Sequence, residues 1–266
     1  MNAPSPLNAN GRSKAALKKP SKAWTVRSKN LPQRQVRSVP LTRRYEVSWL
    51  NDAGEIEDFV RVAPALPIFE QAFSAFSHGA LIGTTEGPVA VEDLVPGMEI
   101  ETLSGLATLR WVGAITIVPG ATAAKGEPDH LYRVTADAFG LGRPASGITF
   151  GPAARLLNRT PAIRNALGAE AALAPVSTFA DGATIVEITP VSPIRVYHLA
   201  FDTHQIIKAN GIEVESYHPG PDAHYSMSIE MRAMFVALFP QITAIHDFGR
   251  MLWPRFEAGD DLEGLV

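Results

Sequence analysis

From Ala80 onward the chain is broken at short intervals by turn-forming pairs: Gly87-Pro88, Pro96-Gly97, Ser104-Gly105, Pro119-Gly120 and Asn210-Gly211. Glycine and asparagine enter the left-handed region cheaply, and proline fixes φ, so each pair marks a reversal. Such spacing leaves room for short strands. Nothing in it suggests a βαβ unit. Met98-Glu99-Ile100-Glu101-Thr102 and Ala107-Thr108-Leu109-Arg110-Trp111-Val112 alternate on either side of Ser104-Gly105 and read as two strands. The pattern predicts an all-β domain of short, mostly antiparallel strands.

Tyr45-Glu46-Val47-Ser48-Trp49-Leu50 alternates likewise, and Asn51-Asp52-Ala53-Gly54 supplies a turn before a second run, Ile56 to Val62. A β-hairpin therefore precedes the main domain. Ala63-Pro64-Ala65-Leu66-Pro67 interrupts regular structure, and Phe69, Phe73 and Phe76 then fall at helical spacing in a short docking segment. Near the other end the period changes. Met227, Met231, Met234, Phe235 and Leu238 share one face of a C-terminal helix spanning Tyr225 to Phe239, which Pro240 stops. Ile229, Val236 and Phe239 make it apolar over most of its circumference, so it is expected to pack on the body or to form an oligomer contact through Met227–Phe239. The resulting layout is a basic tail at 1–43, a hairpin and docking segment at 44–73, the β domain at 74–220, and the helix with an acidic frayed end, including Glu257 to Glu263, at 221–266.

The chain has 266 residues and no cysteine, which removes disulfides, thiolate metal sites and thiol nucleophiles. Its net charge of −3 conceals an asymmetry. Residues 1–45 hold 11 of the 24 basic residues and no acidic ones, so the remainder carries 13 − 27 = −14. An acidic body argues against nucleic acid as its partner, and the tail is expected to be disordered, with an anionic partner as its sharper role. No apolar run approaches the roughly 18 residues of a membrane span, and no secretory signal stands out. A cytoplasmic protein is expected, with export by another route left open.

Four blocks carry a family resemblance. Ala75-Phe76-Ser77-His78-Gly79-Ala80-Leu81-Ile82 continues through Gly87-Pro88-Val89-Ala90-Val91-Glu92-Asp93-Leu94-Val95-Pro96-Gly97. Leu109-Arg110-Trp111-Val112-Gly113 follows, then Phe150-Gly151-Pro152-Ala153-Ala154-Arg155-Leu156-Leu157. The last is Tyr197 to Ile207 with Ala209-Asn210-Gly211 and Glu215-Ser216. In this order, over about Ser74 to Gly220, they resemble bacterial Hint domains, the self-cleaving modules shared by inteins and hedgehog proteins. The resemblance implies a Hint-type (hedgehog/intein) fold.

It also implies a set of catalytic positions. The family nucleophile, usually Cys, aligns with Ala75, and the histidine of its Ser-Pro-x-His-Arg block aligns with Ala154. The closing His-Asn of inteins falls on Glu215-Ser216. No confident catalytic residue remains, and a Hint-fold protein lacking self-cleavage is expected, acting as a binding or structural module for an unidentified protein or small ligand. The enzyme alternative is autoprocessing by Ser74 or Ser77, although a one-residue shift along a strand turns a side chain to the opposite face. His204 stands where the family often has a histidine, and Pro152, Arg155, His198 and His204 are candidates to line the former cleft.

Other residues read more plainly. His198, Asp202 and His204 lack a spacing that would assemble a metal site, and no cofactor is expected. Arg110 and Trp111 fit ordinary strand alternation, one outward and one inward. His78 reads as an exposed turn residue.

Overall fold

The computed structural model describes residues 41–119 and 130–256. Most of the expected basic tail, the Gly120 side of the Pro119-Gly120 turn and the acidic end from Glu257 lie outside them. Two eight-stranded sheets, with antiparallel ladders throughout, make up the body. The first runs in the order Ile185–Ile188, Leu131–Val134, Ile148–Phe150, Phe76–Ser77, Ile194–Ala200, Trp111–Ile117, Thr42–Leu50, Ile56–Pro64. The second runs Ala172–Pro175, Arg155–Asn158, Ile212–Glu215, Ile206–Ala209, Leu81–Thr84, Glu99–Thr102, Gly105–Thr108, with Gly87–Ala90 paired to Leu81–Thr84.

The chain changes sheet repeatedly, at residues 78–80, 109–110, 151–154 and 201–205 among others. These crossings explain one departure from the sequence pattern. The alternating run Ala107 to Val112 is two strands: Ala107 and Thr108 pair with Ile100 and Glu99 in the second sheet, whereas Trp111 and Val112 pair with Ala200 and Leu199 in the first. Buried Leu109 marks the corner, its N–H donating to the Met98 carbonyl while Arg110 N–H reaches Ala200. The alternation of residue types therefore does not mark the corner.

One apolar core lies between the sheets and includes Ala75, Phe76, Ile82, Ile100, Phe150, Ala154 and Leu199. A second covers the other face of the first sheet. Along Trp111–Ile117, Trp111, Ile115 and Ile117 enter the second core while Val112 and Ala114 enter the first. A strand buried on both faces loses its polar positions, which is why this one is so apolar.

The second core joins segments far apart in the chain. The opening hairpin pairs in register from Thr42 with Pro64 to Leu50 with Ile56, and its first strand adds to Trp111–Ile117. It begins at Thr42, slightly ahead of the expected boundary, and Arg43 is ion-paired with buried Glu70. The docking segment is one α-turn, Pro67–Glu70, and a 3-10 turn, Gln71–Phe73. Phe69 and Phe73 face the second core as the spacing predicted. Phe76, by contrast, has left the helix to pair with Phe150 and Tyr197, and it fills the first core.

The C-terminal helix is shorter than its pattern, Ile229–Val236, and Ser228 caps it by accepting from Met231 N–H. It packs on the body through Phe235 with the following Leu238 and Phe239, all fully buried. Ile229 is 83% exposed, so the expected all-round apolar helix is apolar on one side only in its surroundings. Beyond it a strap closes the second sheet: Leu173 N–H donates to Pro254 and Phe256 N–H to Leu173, placing Phe256 in the first core. No helix among the described residues is long and apolar enough to cross a membrane.

Gly113 sits where this packing is tightest. A Cβ there would lie 2.1 Å from the Trp111 ring and 2.6 Å from that of Phe73. Gly113→Ala is therefore expected to destabilise the fold by about 1–3 kcal/mol, as overpacking does. A lowered urea midpoint measures this; an unchanged midpoint would mean the two rings have room that the structure denies them.

Candidate functional site

The peptide between Ser74 and Ala75 is gripped from both sides by the crossing at 151–154. Ala153 N–H donates to the Ser74 carbonyl at 3.0 Å and Gly151 N–H to the Ala75 carbonyl at 2.8 Å. The Ala75 N–H is held in turn by the Tyr197 carbonyl at 2.9 Å. Gly151 lies so close that a Cβ would fall 2.1 Å from the Ser74 oxygen, so only glycine fits this approach. The sequence-aligned positions Ala75 and Ala154 thus belong to adjoining backbone and to one core, and both are almost wholly buried. A carbonyl with a fixed N–H donor has the beginnings of an oxyanion site. The side chains at both aligned positions are methyl groups.

Ser74 is buried and its hydroxyl donates to the Glu70 carbonyl at 2.9 Å. It closes the 3-10 turn and does not lie in a strand. Ser77 lies in the strand, buried, with no histidine or carboxylate partner for its hydroxyl among the described residues. Among the described residues, neither serine hydroxyl meets a histidine or a carboxylate.

A second cluster adjoins this junction through Arg155. Its guanidinium lies 3.7 Å from Glu215, whose carboxylate also meets Arg255 at 2.9 Å and His204 Nε2 at 3.1 Å. His204 Nδ1 accepts from Leu252 N–H at 3.0 Å, so the proton of its neutral ring sits on Nε2 and points at Glu215. Burial opposes ionisation of Glu215, yet Arg255, the His204 hydrogen bond and Arg155 together outweigh it and hold the carboxyl at about 2. Ser216 is tied down too, its hydroxyl accepting from Gln205 N–H.

His198 follows the residue whose carbonyl holds Ala75. Its ring is edge-on to Phe76 and Tyr217, and its Nδ1 accepts from Leu199 N–H at 3.0 Å. Pro152 lies in the gripping turn. His204 stands apart from both, against Glu215 and 5.3 Å from the His218 ring. Asp202 turns outward to Arg110 at 3.0 Å, so His198, Asp202 and His204 do not converge. Trp111 is buried, whereas Arg110 is not mid-strand but at the corner, partly exposed beside Asp52 and Asp202. His78 is exposed and pairs with Glu92.

Arg255 and His218 were not legible as site residues. Arg255 lies 40 residues beyond Glu215, in a segment whose approach depends on the strap along Leu173. The only hint was the apolar stretch Trp253-Pro254-Arg255-Phe256 just before the acidic end.

The two antiparallel sheets are of the Hint-type class that the sequence resemblance implied. The Hint domain model matches residues 74–221, more than half of the chain, and the chain belongs to the Hint domain family. Among solved structures, a bacterial intein-like domain from Clostridium thermocellum is 12% identical with a TM-score of 0.37. The match covers 54% of this chain and 99% of that one. The gp41-1 intein is 11% identical with a TM-score of 0.34, covering 54% and 98%. A DnaB intein from Synechocystis sp. PCC 6803 is 14% identical with a TM-score of 0.34, covering 54% and 99%. Comparison with curated proteins finds no significant match.

Three buried groups make this site acid-sensitive. Burial pushes His198 from 6.5 to about 3 and His218 to about 4. Their contribution is complete above the unfolded value of 6.5 and is lost as pH falls toward the folded values. Glu215, lowered from 4.5 to about 2, adds stability above 4.5 that is lost as pH falls toward 2. All three act in one direction. Unfolding free energy from urea titrations should fall below pH 6.5, by up to about 1.4 kcal/mol per pH unit for each histidine. His198→Phe should flatten the decline; equal stability at pH 7 and pH 4 would contradict the buried neutral rings.

Proposed function

We propose that this chain is a Hint-fold protein that does not cleave itself and acts as a binding or structural module. The observation that carries this reading is that Ala75 and Ala154, aligned with the nucleophile and the proton donor of the family, are methyl groups in one apolar core. Peptide cleavage here would need an atom to attack the Ser74 carbonyl and an acid to protonate the Ala75 nitrogen. Loss of a nucleophile from a catalytic unit costs on the order of 10⁴ to 10⁶ in rate, and further losses add little.

The neighbouring groups support the same reading. Ser74 Oγ is engaged with Glu70, and the Ser74 carbonyl is held as ordinary backbone by Ala153. His198, with a conjugate acid of about 3, is neutral at pH 7 and a poor proton donor there. Glu215 occupies the place of the cyclising end of inteins with its carboxylate locked between Arg255, Arg155 and His204. What remains is a frame that orders a peptide without reacting at it.

Intact mass of the full chain, incubated with and without added thiol, is expected to show a single species of 28.6 kDa. Release of residues 1–74, about 8 kDa by their share of 266 residues, would sink the proposal. Ala75→Cys alone should stay intact, whereas Ala75→Cys with Ala154→His should give slow thiol-dependent cleavage before residue 75. A folded double variant that never cleaves would count against the assignment of these two positions.

A further inference from the structure

The opening hairpin leaves a long strand edge uncovered. Ile56–Pro64 is the last strand of the first sheet, and among the described residues it pairs with Thr42–Leu50 alone. In an antiparallel ladder, residues bonded to the neighbouring strand alternate with residues whose N–H and C=O point away from it. Both ends of this ladder give the same phase. Asn51 N–H donates to the Glu55 carbonyl at 2.9 Å and Ala65 N–H to the Leu41 carbonyl at 2.8 Å, so the odd-numbered residues bond within the hairpin. The backbone groups of Ile56, Asp58, Val60 and Val62 therefore point off the end of the sheet.

The side chains on this edge do little to keep another strand away. Ile56 is 47% exposed, Val60 52% and Val62 63%. Extended apolar edges invite strand addition, and Pro64, which lacks an N–H, stands only at the end of this one. Arg61 meets no carboxylate among the described residues, and its guanidinium lies over the Phe59 ring at 5.5 Å. Glu57 is held by a neutral donor, Asn51 Nδ2, at 2.8 Å.

The pattern of charges selects a partner. Two copies related by a two-fold axis normal to the sheet place this edge against itself, antiparallel, with each face of the sheet kept on its own side. Such pairing can be centred only on a residue. Centring on Asp58 or on Arg61 sets a charge against its own copy, which is destabilising. Centring on Val60 sets Arg61 opposite Phe59 and spends an outward position on Pro64. Centring on Phe59 sets Glu57 opposite Arg61 on both sides of the axis, Ile56 opposite Val62 and Asp58 opposite Val60. Centres nearer either end pair fewer residues.

We propose that Ile56–Pro64 is the interface of a symmetric dimer, in which two copies of this chain join edge to edge with Phe59 at the two-fold axis. The outward N–H and C=O groups then bond to one another, and Ile56, Val60 and Val62 of both copies form one apolar strip. This edge lies outside the family region and does not depend on whether the Ser74–Ala75 peptide can be cleaved.

Sedimentation equilibrium of the full chain tests the proposal. The mass is expected to rise with concentration through the micromolar range to twice 28.6 kDa. Arg61→Glu sets like charges opposite each other and should weaken association about tenfold, as should Glu57→Arg, whereas the two substitutions together should restore it. Val60→Pro removes an outward N–H without touching the bonds to Thr42–Leu50, and should leave a monomer with a urea midpoint near that of the unaltered chain. Phe59→Cys, the single thiol of its chain, should form a disulfide-linked dimer on oxidation, whereas Leu106→Cys, at an exposed position of the other sheet, should not. A monomer at every concentration, a dimer that folded Val60→Pro leaves intact, a double charge swap no better associated than the singles, or equal crosslinking by the two cysteine variants would overturn it.

Discussion

Trp111 is the residue on which the rest of the molecule leans. It stands at the corner where the chain leaves the second sheet and joins the first, and its ring stacks on Phe239 at 4.6 Å and meets Phe73 edge-on at 5.0 Å. Its indole N–H donates to the Leu238 carbonyl at 2.9 Å, so a group that must be buried is also satisfied. One side chain thereby contacts the segment before the Hint region and the residues that follow the C-terminal helix. Gly113, two residues on, has no side chain because that ring occupies the space.

The candidate site depends on the same arrangement. Phe73, fixed against Trp111, brings the chain to Ser74 at a set angle, and the 3-10 turn around it places the Ser74 carbonyl under Ala153 N–H. From the other end, the strap that follows the helix carries Arg255 to Glu215. A buried carboxylate beside two arginines and a histidine is stable only as a complete set, because removal of one partner leaves an uncompensated charge. The elements outside the family region therefore complete the electrostatics inside it.

Much of the fold was legible because turns and alternation are local properties. Asn51 to Gly54 and Asn210-Gly211 announced their hairpins through residues that tolerate the required φ, and the four family blocks arrived in order. Ala107 to Val112 misled because an alternating run can pass through a corner while its residues change partners. The C-terminal helix was overextended for a related reason: Tyr225 and Ile229 match the apolar period but lie exposed, and the burial that ends the helix comes from Phe239 folding back toward Trp111. Ala75 and Ala154 were identifiable only by comparison with the family pattern, since alanine carries no chemistry to notice. Arg255 carried little signal, as its role is created by a contact 40 residues distant.

The hairpin, the helix and the strap also bear on what counts as one module. The family region, 74–221, does not bound the packing: its first sheet has one face covered by residues from 42–73 and 227–248. The flanks and the family region share a core, so the smallest piece that keeps this core whole runs from the hairpin to the strap. The boundary of the family match and the boundary of the packed core are therefore two different lines in this chain.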